Sequence, residues 1–122
     1  SPRMLTLALQ KGSYTQGLIE TGRVFAVNLF LESDFDSLRP FTKGRSKNPD
    51  KMAQAAFTPA PVTGCPVLQG AAAYLECEVA ALHDDGGDHL LVVGLVVGGN
   101  VLKEGEAGDT LTLPKIGWSY AG

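Results

Sequence analysis

The sequence predicts a mainly β fold, a small barrel with two or three short helices. Three observations lead there. Fifteen glycines and seven prolines break 122 residues into short runs, which suits strands and turns better than a helix bundle. Residues 90–97, Leu-Leu-Val-Val-Gly-Leu-Val-Val, form an apolar run of the length a buried strand needs. Asp84-Asp85-Gly86-Gly87 separates that run from a second apolar-rich stretch, as a hairpin turn does.

The elements follow in chain order. Met4, Leu5, Leu7, Ala8 and Leu9 put a strand at 3–10, and Lys11-Gly12-Ser13-Tyr14 turns out of it. Ser13 or Tyr14 caps a short helix over 15–21, which Gly22 stops. Residues 24–31, rich in β-branched and aromatic side chains, predict a second strand buried on both faces. Phe35, Leu38 and Phe41 recur every third position, so 34–41 predicts a helix capped by Ser33 or Asp34. Residues 42–66 are an irregular excursion broken by Pro49, Pro59 and Pro61, with one helical turn at 50–55. Residues 74–83 and 89–102 make the hairpin, with Gly98-Gly99-Asn100 bending its second arm. A last strand at 110–113 leaves 114–120 as a tail. One domain fits this length.

Composition excludes several function classes. A formal net charge of −3 leaves no basic excess to neutralise phosphates, against a general nucleic-acid binder. No apolar run reaches the length of a membrane span, and Ser1-Pro2-Arg3 opens no signal peptide. A soluble protein of the cytoplasm or another reducing compartment is expected, free of membrane and nucleic acid. Cys65 and Cys77 are the only cysteines and match no metal motif, so no metal is expected. Cys77 reads as a small buried residue sharing a face with Leu75 and Val79. Cys65 reads as a loop residue before a short strand.

Two features carry chemistry. His89, beside Asp88, sits where a turn hands over to a buried strand. That placement suits a titratable ring at a pocket mouth, and equally a structural histidine. Lys43, Arg45, Lys47 and Lys51 fall within nine residues and read either as a solvated loop or as an anion site. A hydrolase built on Asp88 and His89 lacks its partner, since no serine or cysteine stands in a nucleophile motif.

Ser13-Tyr14-Thr15 followed by Leu18-Ile19 and Gly22 is similar to a Ser-x-Thr turn with its short helix. Phe25-Ala26-Val27-Asn28-Leu29 is similar to an F-x-V-N-x-L strand. Asp50-Lys51-Met52, Gly64-Cys65-Pro66-Val67-Leu68 and Ala73-Tyr74-Leu75-Glu76-Cys77 match a middle section. Gly87-Asp88-His89 precedes Val93-Gly94-Leu95-Val96 as G-D-H precedes V-G-x-V. Gly117-Trp118-Ser119-Tyr120-Ala121-Gly122 adds an aromatic ending. In this order and spacing the blocks cover most of the chain and resemble the flavin reductase-like family.

The resemblance implies a Greek-key FMN-binding split barrel and a homodimer with the flavin site at the subunit interface. It implies FMN or FAD as ligand and NAD(P)H as hydride donor. Reduced flavin then goes to a partner enzyme or a fused domain. The alternative is a non-catalytic or electron-transfer flavin-binding module within a larger protein. Thr15 and Ser13 would hydrogen-bond the flavin, with Lys11 placing charge near its phosphate. Lys51 would contact flavin or phosphate ahead of Lys43, Arg45 and Lys47. Phe41 would pack near the ring or face the core. His89 would face the nicotinamide side and steer the dinucleotide. Trp118 or Tyr120 would stack over the ring or plug the core. Residues 1–122 are expected to form one such domain, without the N-terminal strands usual in the family.

Overall fold

A computed structural model describes residues 2–38, 56–112 and 115, and side chains at all of these except 37 and 38. Strands β1 (Met4–Gln10), β2 (Val24–Leu29), β3 (Phe57–Pro59), β4 (Pro66–Leu68), β5 (Ala73–His83) and β6 (His89–Val101) accompany helices α1 (Tyr14–Gly22) and α2 (Phe35–Leu38). Four strands are ordered β1-β6-β5-β2, and β3 pairs with β4. β1 runs antiparallel to β6, from Met4 opposite Leu95 to Gln10 opposite His89. Only residues 84–88 join β5 to β6, far too few for a parallel crossover, so the expected hairpin forms. Its turn is shaped by Asp84, whose Oδ1 accepts from Gly86 N at 2.9 Å. Gly86 takes the φ of +91° that the turn requires.

Several expectations need correction. β2 ends at Leu29 and is an outer strand rather than one buried on both faces; only Phe25 within it is fully buried. The chain leaves the sheet because its carbonyls find other partners: Leu29 O accepts from Ala72 N, and Phe30 O from Leu111 N. The strand expected at 110–113 does not form over its described part. Instead a 3-10 turn, Ala107–Asp109, is closed by Asp109 Oδ2 accepting from Glu106 N, and Thr110 bridges singly to Leu31. α1 includes Gly22, and the left-handed position after it falls on Arg23 (φ 60°), whose N–H donates to Ile19 O at 2.9 Å. A 3-10 turn, Glu32–Asp34, leads into α2, and the rest of the helix expected to 41 lies outside the described residues. The irregular excursion contains β3 and β4 near its end.

The chain divides into two compact units. The first comprises Ser1–Val27, Pro59–Pro66 and Leu75–Gly99. Its core is Ile19, Phe25, Cys77, Leu90 and Val92. β1 sends Leu5, Leu7 and Leu9 onto that core at alternate positions, the period of a half-buried strand. The glycine of Val93-Gly94-Leu95-Val96 is explained by this packing. A Cβ at Gly94 would stand 2.6 Å from the Phe25 ring and 3.1 Å from Cys77 Cβ. The second unit comprises Asn28–Thr58, Val67–Tyr74 and Asn100–Gly122. It buries Phe30, Val67, Ala71, Ala72 and Tyr74.

Candidate functional site

The β1–β6 register determines the site's layout within the first unit. Because Gln10 lies opposite His89, the turn leaving β1 and the turn entering β6 run side by side. Their backbones are joined, with Lys11 N donating to Asp88 O at 2.9 Å. The Lys11 ammonium then donates to Asp84 Oδ1 and forms an ion pair with it. His89 Nδ1 lies 2.8 Å from Asp88 Oδ1, a contact that orients the imidazole. The ring is 24% exposed and the carboxylate 81%, so the histidine stands at the boundary of the core with its partner in solvent. The hydrogen bond from His89 holds the Asp88 carboxyl below the usual carboxylate range. The Lys11 ammonium does the same for Asp84, helped by the Gly86 N–H.

Ser13 and Thr15 follow Lys11 on the same connection. Ser13 is the N-cap of α1, its Oγ accepting from Gln16 N at 3.2 Å. Thr15 is exposed in the first helical turn. Lys11, Ser13 and Thr15 thus lie on the connection that leaves β1 beside the start of β6, where His89 stands. Phe41, Lys51, Trp118 and Tyr120, with Lys43, Arg45 and Lys47, lie outside the described residues.

Two residues that matter here were not singled out from sequence. Asp84 belongs by sequence only to a turn, and nothing local announces its pairing with Lys11 across 73 positions. Glu76 was one letter of a motif. It is fully buried, and its Oε1 accepts from Thr63 N at 2.7 Å, Thr63 Oγ1 at 2.9 Å and Val62 N at 3.1 Å. Burial works against its charge, but these hydrogen bonds outweigh it and hold the carboxyl below its ordinary value. The sequence carries a partial signal: an acid flanked by apolar residues in Ala73-Tyr74-Leu75-Glu76-Cys77, with a second acid, Glu78, two positions on. Cys77 is buried as expected, its thiol pushed up by burial and then by the charge of Cys65; both cysteines are free.

The second unit holds an apolar cleft of about 360 Å3 lined by Phe57, Val67, Leu102 and Lys103 among others. The Lys103 ammonium donates to Gly70 O at 3.1 Å. It also lies 2.9 Å from Asp34 Oδ2, an ion pair not aligned as a hydrogen bond. Among the described residues, no three His, Cys, Asp or Glu side chains converge as a metal site, and no helix is long and apolar enough to cross a membrane.

The mainly β sheet and its strand order are the features that comparison with known proteins can place. The chain belongs to the flavin reductase like domain family, whose model matches residues 1–114. Among its relatives, the flavin-dependent monooxygenase reductase subunit HsaB of Mycobacterium tuberculosis is 37% identical over 95 residues, covering 78% of this chain and 48% of that protein. A putative diflavin flavoprotein, A 6, of Nostoc is 37% identical over 105 residues, 85% of this chain and 18% of that one. The solved nitrilotriacetate monooxygenase component B of Mycobacterium thermoresistibile superposes with a TM-score of 0.75 at 30% identity, over 87% of this chain and 56% of that one. The fold is thus the mainly β FMN-binding split barrel expected from sequence. The chain spans about half the length of the first of these relatives.

Proposed function

We propose that the protein is an NAD(P)H-dependent flavin reductase, binding FMN or FAD and moving hydride to it from the pyridine nucleotide. The observation that carries this reading is His89, clamped by Asp88 at the start of β6 and joined through the backbone to the turn of Lys11 and Ser13. The donor set fits the cofactor. An ammonium, two hydroxyls and an imidazole are the groups that hold a phosphate and a ring rich in carbonyl acceptors. Bound flavin supplies the hydride acceptor, and the protein supplies orientation and electrostatics. Lys11 contributes charge toward the phosphate, Thr15 and Ser13 donate hydrogen bonds, and His89 orients the dinucleotide, its ring fixed by Asp88. Holding both planar rings in contact converts an encounter into an intramolecular step.

The proposal extends to partners. The names of the monooxygenase reductase subunit and the diflavin flavoprotein support delivery of reduced flavin to a separate enzyme or a fused domain. A homodimer is part of the reading, supported by exposed apolar Met4, Leu18 and Leu91 in the first unit. The family match over residues 1–114 supports reading residues 1–122 as one such domain. Titration with FMN or FAD, followed by NADH or NADPH under anaerobic conditions, tests the function through loss of flavin absorbance near 450 nm. Nucleotide-dependent bleaching supports it. Flavin binding without bleaching favours the electron-transfer module instead.

A further inference from the structure

We infer that two copies of the chain join edge to edge along β1, uniting their four-stranded sheets into one and bringing Arg3 of each copy to the Lys11 turn of the other. The inference rests on the homodimer of the reading above and deepens it by naming the surface that forms it. β1 is the end strand of its sheet, so β6 pairs with only one of its edges. Val96 N donates to Arg3 O and Lys11 N to Asp88 O, and between these bonds the pairs run from Met4–Leu95 to Gln10–His89. Backbone groups alternate in direction along an antiparallel ladder. Those of Leu5, Leu7 and Leu9 therefore face β6, and those of Met4, Thr6, Ala8 and Gln10 face outward. All four outward residues are exposed, and among the described residues no strand lies beside them.

A strand edge left in solvent is ordinarily blunted by charge, proline or a bulge. Residues 4–10, Met-Leu-Thr-Leu-Ala-Leu-Gln, hold no charge and no proline, and their ladder with β6 runs unbroken. Such an edge accepts another extended strand, and charge favours a second β1. Antiparallel pairing about a two-fold axis at Leu7 sets Met4 opposite the partner's Gln10 and Thr6 opposite the partner's Ala8, each pair exchanging outward groups. Thr6 and Ala8 are small, so their side chains meet there without crowding. The same register sets Arg3 opposite the partner's Lys11. Lys11 is paired with Asp84, and Asp85 and Asp88 stand on the same turn, so three carboxylates face one ammonium. Arg3, exposed at the start of β1, thus meets a turn of net negative charge across two strand spacings, roughly 10 Å. The two-fold axis makes this attraction twice. The partner's Met4 also falls in the row of Gln10 and His89, so each copy borders the other's candidate site.

The test combines sedimentation velocity with residue-resolved amide hydrogen exchange of the full chain over a dilution series. The expected result is a dimer in which the Met4, Thr6 and Ala8 amides are protected and lose that protection on dilution, while Leu5, Leu7 and Leu9 keep theirs. Arg3→Glu should weaken dimerisation by about tenfold at low salt, and adding Asp85→Arg to it should recover most of the loss. A variant that merely fails to fold would not be rescued by the second change. A monomer at every concentration overturns the inference and the homodimer together. A dimer whose Met4, Thr6 and Ala8 amides exchange freely overturns the β1 edge and leaves the homodimer standing. Protection that persists in the monomer also overturns it, because another part of the chain then covers β1. So does an Arg3→Glu variant that dimerises as tightly as the parent. None of these readouts uses flavin reduction, so failure of the reductase reading is seen separately.

Discussion

At the scale of single residues, Glu76 and His89 make opposite demands. Glu76 is a buried charge stabilised by hydrogen bonds on one oxygen, while Oε2 has no hydrogen-bond partner among the described residues. Glu76→Gln leaves an amide nitrogen there and weakens the grip on Val62 and Thr63. The expected loss at pH 7 is about 1–3 kcal/mol in urea denaturation. Because the folded carboxyl titrates below its ordinary value, its contribution is present above that value and lost as pH falls through the folded one. The gap between parent and variant should therefore narrow as the pH falls below the ordinary carboxylate range. His89 bears on function instead. His89→Ala should keep flavin affinity and lower kcat/KM for the nucleotide by about tenfold, as expected for a lost orienting contact. Stopped-flow reduction at varied nucleotide concentration measures it.

At the scale of elements, two local conflicts with intrinsic preference are informative. α1 ends on Arg23 at φ 60°, a conformation glycine adopts without strain. Arg23→Gly should raise stability by about 0.5–1 kcal/mol, seen as a rise of a few degrees in Tm. The sequence suggested glycine as the stop because Gly22 is adjacent, but the helix runs one residue further and spends its glycine inside. Gly94 shows the reverse case, a glycine demanded by packing. Phe25 lies on the bare backbone of β6, so Gly94→Ala must displace the ring or Cys77 and should cost about 1–3 kcal/mol by thermal or chemical denaturation.

At the scale of the whole molecule, assembly is the open variable. The proposed homodimer should sediment at about twice the 12.8 kDa chain mass. Sedimentation velocity with and without flavin checks this, and a monomer under both conditions would remove the dimer from the reading. A chain this small has limited core to spare, so an interface would also stabilise the fold, and Tm should then rise with protein concentration.

The sequence by itself determined the hairpin, the presence of a short helix after the Lys11–Ser13 turn, the β class and the family, because these depend on local periodicity, turn chemistry and ordered motifs; that Ser13 rather than Tyr14 caps the helix was decided by the fold. The terminal strand and the extent of β2 depended on which distant carbonyls the backbone could reach. Ala72 and Leu111 captured Leu29 and Phe30, and no local pattern encodes that. His89 with its neighbour Asp88 was legible because the pair is adjacent in the chain. The Lys11–Asp84 pair and the grip of Glu76 on Thr63 were not, since each joins groups that only the folded sheet brings together. Charge pairing and burial depend on distance in space, and for these residues only the tertiary structure decided it.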